Sequence, residues 1–169
     1  MKTMKAKNKI PNITLISYPV YISPIMSDKK FTYIPNQGMY INGYKTELIR
    51  FNKLKGIQEY TLEGYLVKNK LFLHDCLFIN NWINNKGKVT YYSRWKMLKL
   101  LVNNCLAEYD KFVTVPTDVA ENPGDLIRFY KQYLTEGYIG VNIKNENGYY
   151  TFDETTDDFI ELTKREENE

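Results

Sequence analysis

Cysteine and histidine are scarce: Cys76, Cys105 and His74 are the only ones in 169 residues. Two thiols cannot build a disulfide framework, and a lone histidine beside them leaves no zinc-ligand spacing, so disulfide-stapled modules and zinc fingers are excluded. Both cysteines read as buried thiols. No apolar run approaches the roughly 20 residues that a membrane helix needs, and no secretory leader is recognisable. The expectation is a cytoplasmic protein without a membrane partner. Acids are almost missing from residues 1–56, where Asp28 and Glu47 face ten Lys/Arg, whereas residues 153–169 are predominantly acidic. The net charge is only +3. A basic front half of this kind attracts a polyanion without selecting which one.

The chain is 43% hydrophobic and 15% aromatic, enough for one packed core at this length. Abundant Lys, Asn, Ile and Tyr is a composition associated with AT-rich coding genomes, as in many phages and other viruses. From Ile13 to Arg50, short alternating runs broken by Pro24, Asn36-Gln37-Gly38 and Asn42-Gly43 predict strands joined by tight turns. Tyr60–Val67 and Leu71–Asn80, joined at Lys68-Asn69-Lys70, predict a hairpin, and apolar residues on both faces of the second arm mark a central strand.

The period then changes. Trp95, Leu98, Leu101, Val102 and Cys105 form the inner stripe of a helix over Tyr92–Leu106, with Ser93 the expected N-cap and Lys96, Lys99, Asn103 and Asn104 outside. Phe112–Val115 predicts a short strand. Asn122-Pro123-Gly124-Asp125 predicts the start of a helix reaching about Leu134, with Leu126, Phe129, Tyr130 and Tyr133 on one side. Tyr138–Lys144 and Tyr149–Phe152 predict a last hairpin. The expected organisation is a flexible basic segment over 1–12, one α+β domain of antiparallel sheets with inserted helices over 13–153, and an acidic tail over 154–169 holding one short helix through Phe159 and Leu162.

Five fragments carry a more specific signal. They are Ser23–Phe31, Leu62–Val67, Phe72–Asn81, Tyr92-Ser93-Arg94 and Glu136–Val141. In order and spacing the set resembles the nucleotidyltransferase domain shared by ATP-dependent DNA ligases and mRNA capping enzymes. In that superfamily the first fragment reads Lys-x-Asp-Gly-x-Arg, and its lysine is the nucleophile. Here Ile25 takes the lysine's place, Ser27 the aspartate's, Asp28 the glycine's and Lys30 the arginine's. The family's next pair, Ser-Arg, falls on Ile41-Asn42. Its Asp-Gly-Glu-Leu becomes Glu63-Gly64-Tyr65-Leu66, so Tyr65 replaces a metal- and ribose-supporting glutamate while Glu63 keeps a carboxylate nearby.

The fourth fragment matches best, and the resemblance implies a base-stacking role for Phe72 or His74 in a strand that also carries Asp75. Glu136-Gly137 resembles the family's metal-binding Glu-Gly, and the late Lys-x-Lys strand has no counterpart. The resemblance therefore implies the ligase or capping-enzyme fold with its chemistry removed: a catalytically inactive domain without cofactor or metal, binding a nucleic acid or nucleotide. The expected degenerate cleft comprises Ile25, Lys30, Glu63, Tyr65, Phe72, His74, Asp75 and Glu136. Lys29, Lys30, Lys45 and Lys53 are the expected nucleic-acid contacts. A module docking on a protein partner through its fifteen tyrosines is the alternative, and an enzyme working through Lys29 or Lys30 is the third reading.

Overall fold

The computed structural model describes residues 4–7, 13, 16–48, 54, 56–107, 109–152 and 154–164. In chain order the elements are β1 (Lys5–Lys7), β2 (Val20–Pro24), β3 (Lys30–Ile34), β4 (Gly38–Ile41), β5 (Tyr44–Thr46), β6 (Tyr60–Val67), β7 (Lys70–Phe78), α1 (Ile79–Asn84), α2 (Tyr91–Asn104), β8 (Phe112–Thr114), β9 (Asp118–Ala120), α3 (Pro123–Thr135), β10 (Gly140–Asn145) and β11 (Thr155–Thr163). They form an α+β fold with two sheets, divided between two compact units.

The first unit, residues 26–115 with Met1, is built on the sheet β5-β4-β3-β6-β7-β8. Asn42, at φ 48°, and Gly43, at φ 82°, supply the left-handed pair needed for the tight turn between β4 and β5. The β6–β7 hairpin runs antiparallel from Tyr60 opposite Phe78 to Val67 opposite Lys70. Helix α2 buries Trp95, Leu98 and Leu101 of the stripe that its 3.6-residue period predicts, together with Tyr91 and Arg94, while Val102 and Cys105 are only half-buried. Its cap is Thr90, whose side chain accepts from the Ser93 N–H at 3.3 Å, and not Ser93 itself. The cap falls three residues before the expected one, and Tyr91, the first helical residue, is drawn inside, where its hydroxyl donates to the His74 carbonyl at 3.1 Å. Helix α1 was not anticipated. It lacks a side-chain cap and has no buried residue, so nothing in its sequence announces it.

The second unit, residues 2–25 and 116–169, carries the sheet β1-β11-β10-β2-β9. Val20, Ile22, Val141, Ile143, Ile160 and Leu162 point into a core completed by Ala120 and by Leu126 and Tyr133 of α3. Asn122 caps α3 by accepting from the Asp125 N–H at 3.0 Å, with Pro123 in the first turn, and Phe129 and Tyr130 pack against the same core as expected.

Three expectations are corrected in this unit. Among its described residues, the acidic stretch holds a strand, β11, and no α-helix. Ile160 and Leu162 alternate into the core opposite Ile143 and Val141, and burying them outweighs the acidic composition around them. The partner of β10 is therefore β11, whereas Tyr149–Phe152 lies outside any strand, with Tyr150 buried edge-on against Phe152 at 5.0 Å. Lys5–Lys7, expected within a flexible segment, pairs parallel with β11, and Met4 beside it is buried. Among the described residues, this pairing and β7–β8 are the two parallel ones, the others being antiparallel. Cys76 is a buried thiol, and Cys105 a half-buried one, with no disulfide between them.

Trp95 lies stacked on Tyr91, with ring centroids 6.4 Å apart. Trp95→Ala should destabilise the protein by about 3–5 kcal/mol. An unchanged midpoint of denaturant unfolding would remove Trp95 from the core.

Candidate functional site

Two rows of side chains cross β3, β6 and β7. Lys30 stands opposite Tyr65 and Tyr65 opposite Phe72; Thr32 stands opposite Glu63 and Glu63 opposite Asp75. Cross-strand partners share a sheet face. Phe72 and Asp75 are three residues apart, which in an unbroken strand would put them on opposite faces. His74 is an extra residue in β7, and this bulge resets the phase between the two rows. Gly64 sits across from the bulge, and a Cβ there would fall on the Phe72 carbonyl oxygen and within 2.9 Å of the Leu73 Cα. The glycine is required by the close approach of the two backbones.

Lys30 is exposed, and its backbone N–H donates to Asn42 Oδ1 at 2.8 Å. Lys29 is exposed just before it, and its carbonyl accepts from the Leu66 N–H at 2.9 Å. Lys45 is exposed on β5, opposite Tyr40, which in turn faces Thr32. The three lysines thus mark the β3–β5 side of one sheet. Lys53 lies outside the described residues.

Burial separates the aromatic candidates. Tyr65 is 0% and His74 7% exposed, and their rings pack on each other with centroids 5.3 Å apart. Phe72 is half-buried and retains accessible surface. Glu63 is buried beside them.

Asp75 is fully buried and ion-paired. Its carboxylate accepts from Arg94 Nε at 2.8 Å and Nη2 at 3.1 Å, and from the Cys76 N–H at 2.9 Å. Arg94 Nη1 donates to the Val89 carbonyl at 2.7 Å, and its guanidinium lies 5.3 Å from the centre of the Tyr91 ring. The forked geometry satisfies both charges without solvent. Asp75 therefore fastens α2 to β7 and leaves no open carboxylate for a ligand.

In the second unit, Ile25 is 2% exposed, and its N–H donates to the Gly140 carbonyl at 2.9 Å. Glu136 is exposed at the C-cap of α3, where its side chain accepts from Gln132 Nε2 at 2.9 Å. Gly137 follows at φ 96° with open space around it. Glu136-Gly137 is thus a helix stop. The glycine of β10 that has no room for a side chain is Gly140, whose Cβ would meet the Leu162 carbonyl.

The same strand carries polar residues outside the site expected from the sequence. Asn142 lies opposite Ser23 and Glu161, and Lys144 opposite Tyr21 and Phe159. Ser23, Asn142 and Lys144 are buried, and Lys144 Nζ sits 4.7 Å over the Phe159 ring. Their signal was the alternation Val141-Asn142-Ile143-Lys144, where an aliphatic core face implies a polar second face. Among the described residues, no group of three His, Cys, Asp or Glu is placed to hold a metal, and no helix is long and apolar enough to cross a membrane.

No protein-family model matches the sequence, and no curated protein does. Solved structures match well. A protein described as Pmar-Lig_Pre aligns with TM-score 0.75 and 16% identity over 96% of this chain and 46% of its own. The ATP-dependent DNA ligase of bacteriophage T7, in complex with ATP, aligns with TM-score 0.65 and 12% identity over 95% of this chain and 68% of its own. Chlorella virus DNA ligase-adenylate aligns with TM-score 0.64 and 14% identity over 96% and 66%. The chain carries the nucleotidyltransferase fold of ATP-dependent DNA ligases. It spans less than half the length of Pmar-Lig_Pre and about two thirds of the two viral ligases. At such identities the ligase fold is what the likeness conveys, and the chemistry must be read from the residues present.

Removing one partner of the buried pair strands the other charge. Asp75→Ala should cost about 3–5 kcal/mol, while Asp75→Leu combined with Arg94→Met should recover most of that loss. Equal unfolding midpoints for Asp75→Ala and the unmodified protein would show that the pair does not hold the helix.

Proposed function

We propose that the chain is a catalytically inactive nucleotidyltransferase-like protein that binds a nucleic acid or nucleotide as an accessory factor. The observation that carries this reading is Ile25, a buried aliphatic residue tied by its backbone to Gly140, where the resemblance puts the nucleophilic amine. Covalent nucleotidyl transfer needs that amine to attack the α-phosphorus, cations to stabilise the phosphate charge and carboxylates to position a metal. Tyr65 fills one carboxylate position and is packed against His74, and Asp75 is consumed by Arg94.

Binding makes weaker demands. Lys29, Lys30 and Lys45 supply exposed positive charge on one side of the sheet, and Phe72 supplies a partly open ring for stacking. A phage or viral origin and a cytoplasmic location belong to the same reading, supported by the Lys/Asn/Ile/Tyr-rich composition and by the viral ligases among the similar structures.

Incubation with ATP or GTP and magnesium should leave the intact mass of the protein unchanged; a gain equal to AMP or GMP would restore the enzyme reading. Oligonucleotide binding should be weak and salt-dependent, and replacing Lys29 and Lys30 together by Ala should flatten the slope of log K against log salt by about 1–2. Absence of oligonucleotide binding at low ionic strength would favour docking on a protein instead.

A further inference from the structure

The charge of the chain divides by unit, not by sequence half. The first unit holds fourteen Lys/Arg against seven Asp/Glu, and the second nine against thirteen, giving +7 and −4. Within the first unit, residues 76–107 contain five Lys/Arg and no acid at all. Arg94 is neutralised by Asp75. Lys86, Lys88, Lys96 and Lys99 remain, all exposed, and among the described residues none of them is ion-paired.

Helix stability does not ask for this arrangement. An acid in the first turn would complement the helix dipole, and a Glu four residues before a Lys would add a favourable pair. Neither α1 nor α2 has an acid in its first turn. Lys96 and Lys99 instead stand three residues apart with like charge, which disfavours the isolated helix. Exposed apolar surface lies on the same stripe: Tyr92 is 44% and Leu100 54% exposed. Lys96 Nζ is 5.0 Å over the Tyr92 ring and Lys99 Nζ 5.7 Å over the Trp95 ring, so both ammonium groups are stationed on aromatic faces.

We propose that the outer face of α2, with the lysine-bearing turn before it, binds the phosphodiester backbone of a nucleic acid. The proposal rests on the nucleic-acid reading above but assigns it to a surface other than the Lys29–Lys30–Lys45 side of the sheet. The chemistry favours phosphate over peptide carboxylate. The charges are all lysine, point charges without the arginine fork that pairs carboxylates bidentately. Around them stand Ser93, Tyr92, Asn103 and Asn104, all exposed, and hydroxyl and amide side chains of this kind contact phosphate and sugar oxygens. The partner's sequence is not read, because the face offers backbone contacts and one stacking ring.

The test uses the full chain and a fluorescent oligonucleotide of about 20 nucleotides, single-stranded and duplex, titrated from about 50 to 300 mM salt. Lys96→Ala with Lys99→Ala should lower affinity about tenfold at the low end and flatten the salt slope by about 1.5, independently of the Lys29/Lys30 variant. The charge-keeping pair Lys96→Arg and Lys99→Arg should retain the slope. The exposed positions predict unchanged thermal unfolding for both variants. If the unmodified protein binds and the Lys96/Lys99 Ala variant binds equally well with the same slope, the proposal fails while the nucleic-acid reading stands. If the Arg variant loses binding like the Ala variant, the charge-based account fails. If no oligonucleotide binds but a poly-glutamate peptide does, both the proposal and the nucleic-acid reading fall and the face belongs to an acidic protein.

Discussion

The first unit depends on one buried contact, the ion pair between Asp75 and Arg94. Two desolvated charges cost several kcal/mol each unless their hydrogen bonds are met, and here the carboxylate receives Nε, Nη2 and the Cys76 N–H while Nη1 reaches Val89. Such a contact tolerates little displacement. It fixes the rotation of α2 about its own axis, and two further bonds confirm the setting: Tyr91 Oη to the His74 carbonyl and Cys76 Sγ to the Arg94 carbonyl at 3.4 Å. The pair in turn needs the bulge at His74, which sets the phase of Asp75, and the bulge needs the bare backbone of Gly64. From Gly64 to Arg94 each step is a geometric requirement of the next.

This sequence of requirements explains where the ligase resemblance is strongest. Glu63-Gly64, Phe72–Cys76 and Arg94 satisfy demands of packing that hold whether or not any reaction occurs. Ile25 and Tyr65 also meet packing demands, one buried and hydrogen-bonded to Gly140 through its backbone, the other against His74.

Elements with strong local patterns were legible in the sequence. The β6–β7 hairpin, the Trp95–Leu98–Leu101 stripe and the Asn122-Pro123 start of α3 each combine a period with a turn or cap. Elements defined by distant partners were not. The three residues of β9 exist through pairing with β2, far away in sequence. In β11 the alternation around Phe159 and Leu162 was outvoted by its acids, since composition carries no information about the strand waiting at Val141–Ile143. The site divides in the same way. Register places Lys30, Glu63, Tyr65, Phe72 and Asp75 in adjoining rows, but residue type alone could not reveal that Tyr65 and His74 close on each other. A Glu-Gly pair is also a helix terminus, and the C-cap at Glu136 with Gly137 in the left-handed region makes it one here.

Charge was legible in amount and misassigned in place. The lysines of residues 1–25 belong to the unit that is acidic overall, while the unit holding residues 26–115 gathers the excess of positive charge. That matters because exposed charges act mainly within a Debye length, about 8 Å at physiological salt. A polyanion therefore responds to the local density of lysines on one unit and hardly at all to the net charge of the chain. Positioning tolerances then separate the two functions a ligase fold can serve. Nucleophilic transfer fails when reacting groups are misplaced by about 1 Å, whereas a flexible lysine on a sheet edge or helix face finds a phosphate from many positions. Ile25 carries no amine, and the lysines that the fold displays without constraining meet only the second, looser tolerance.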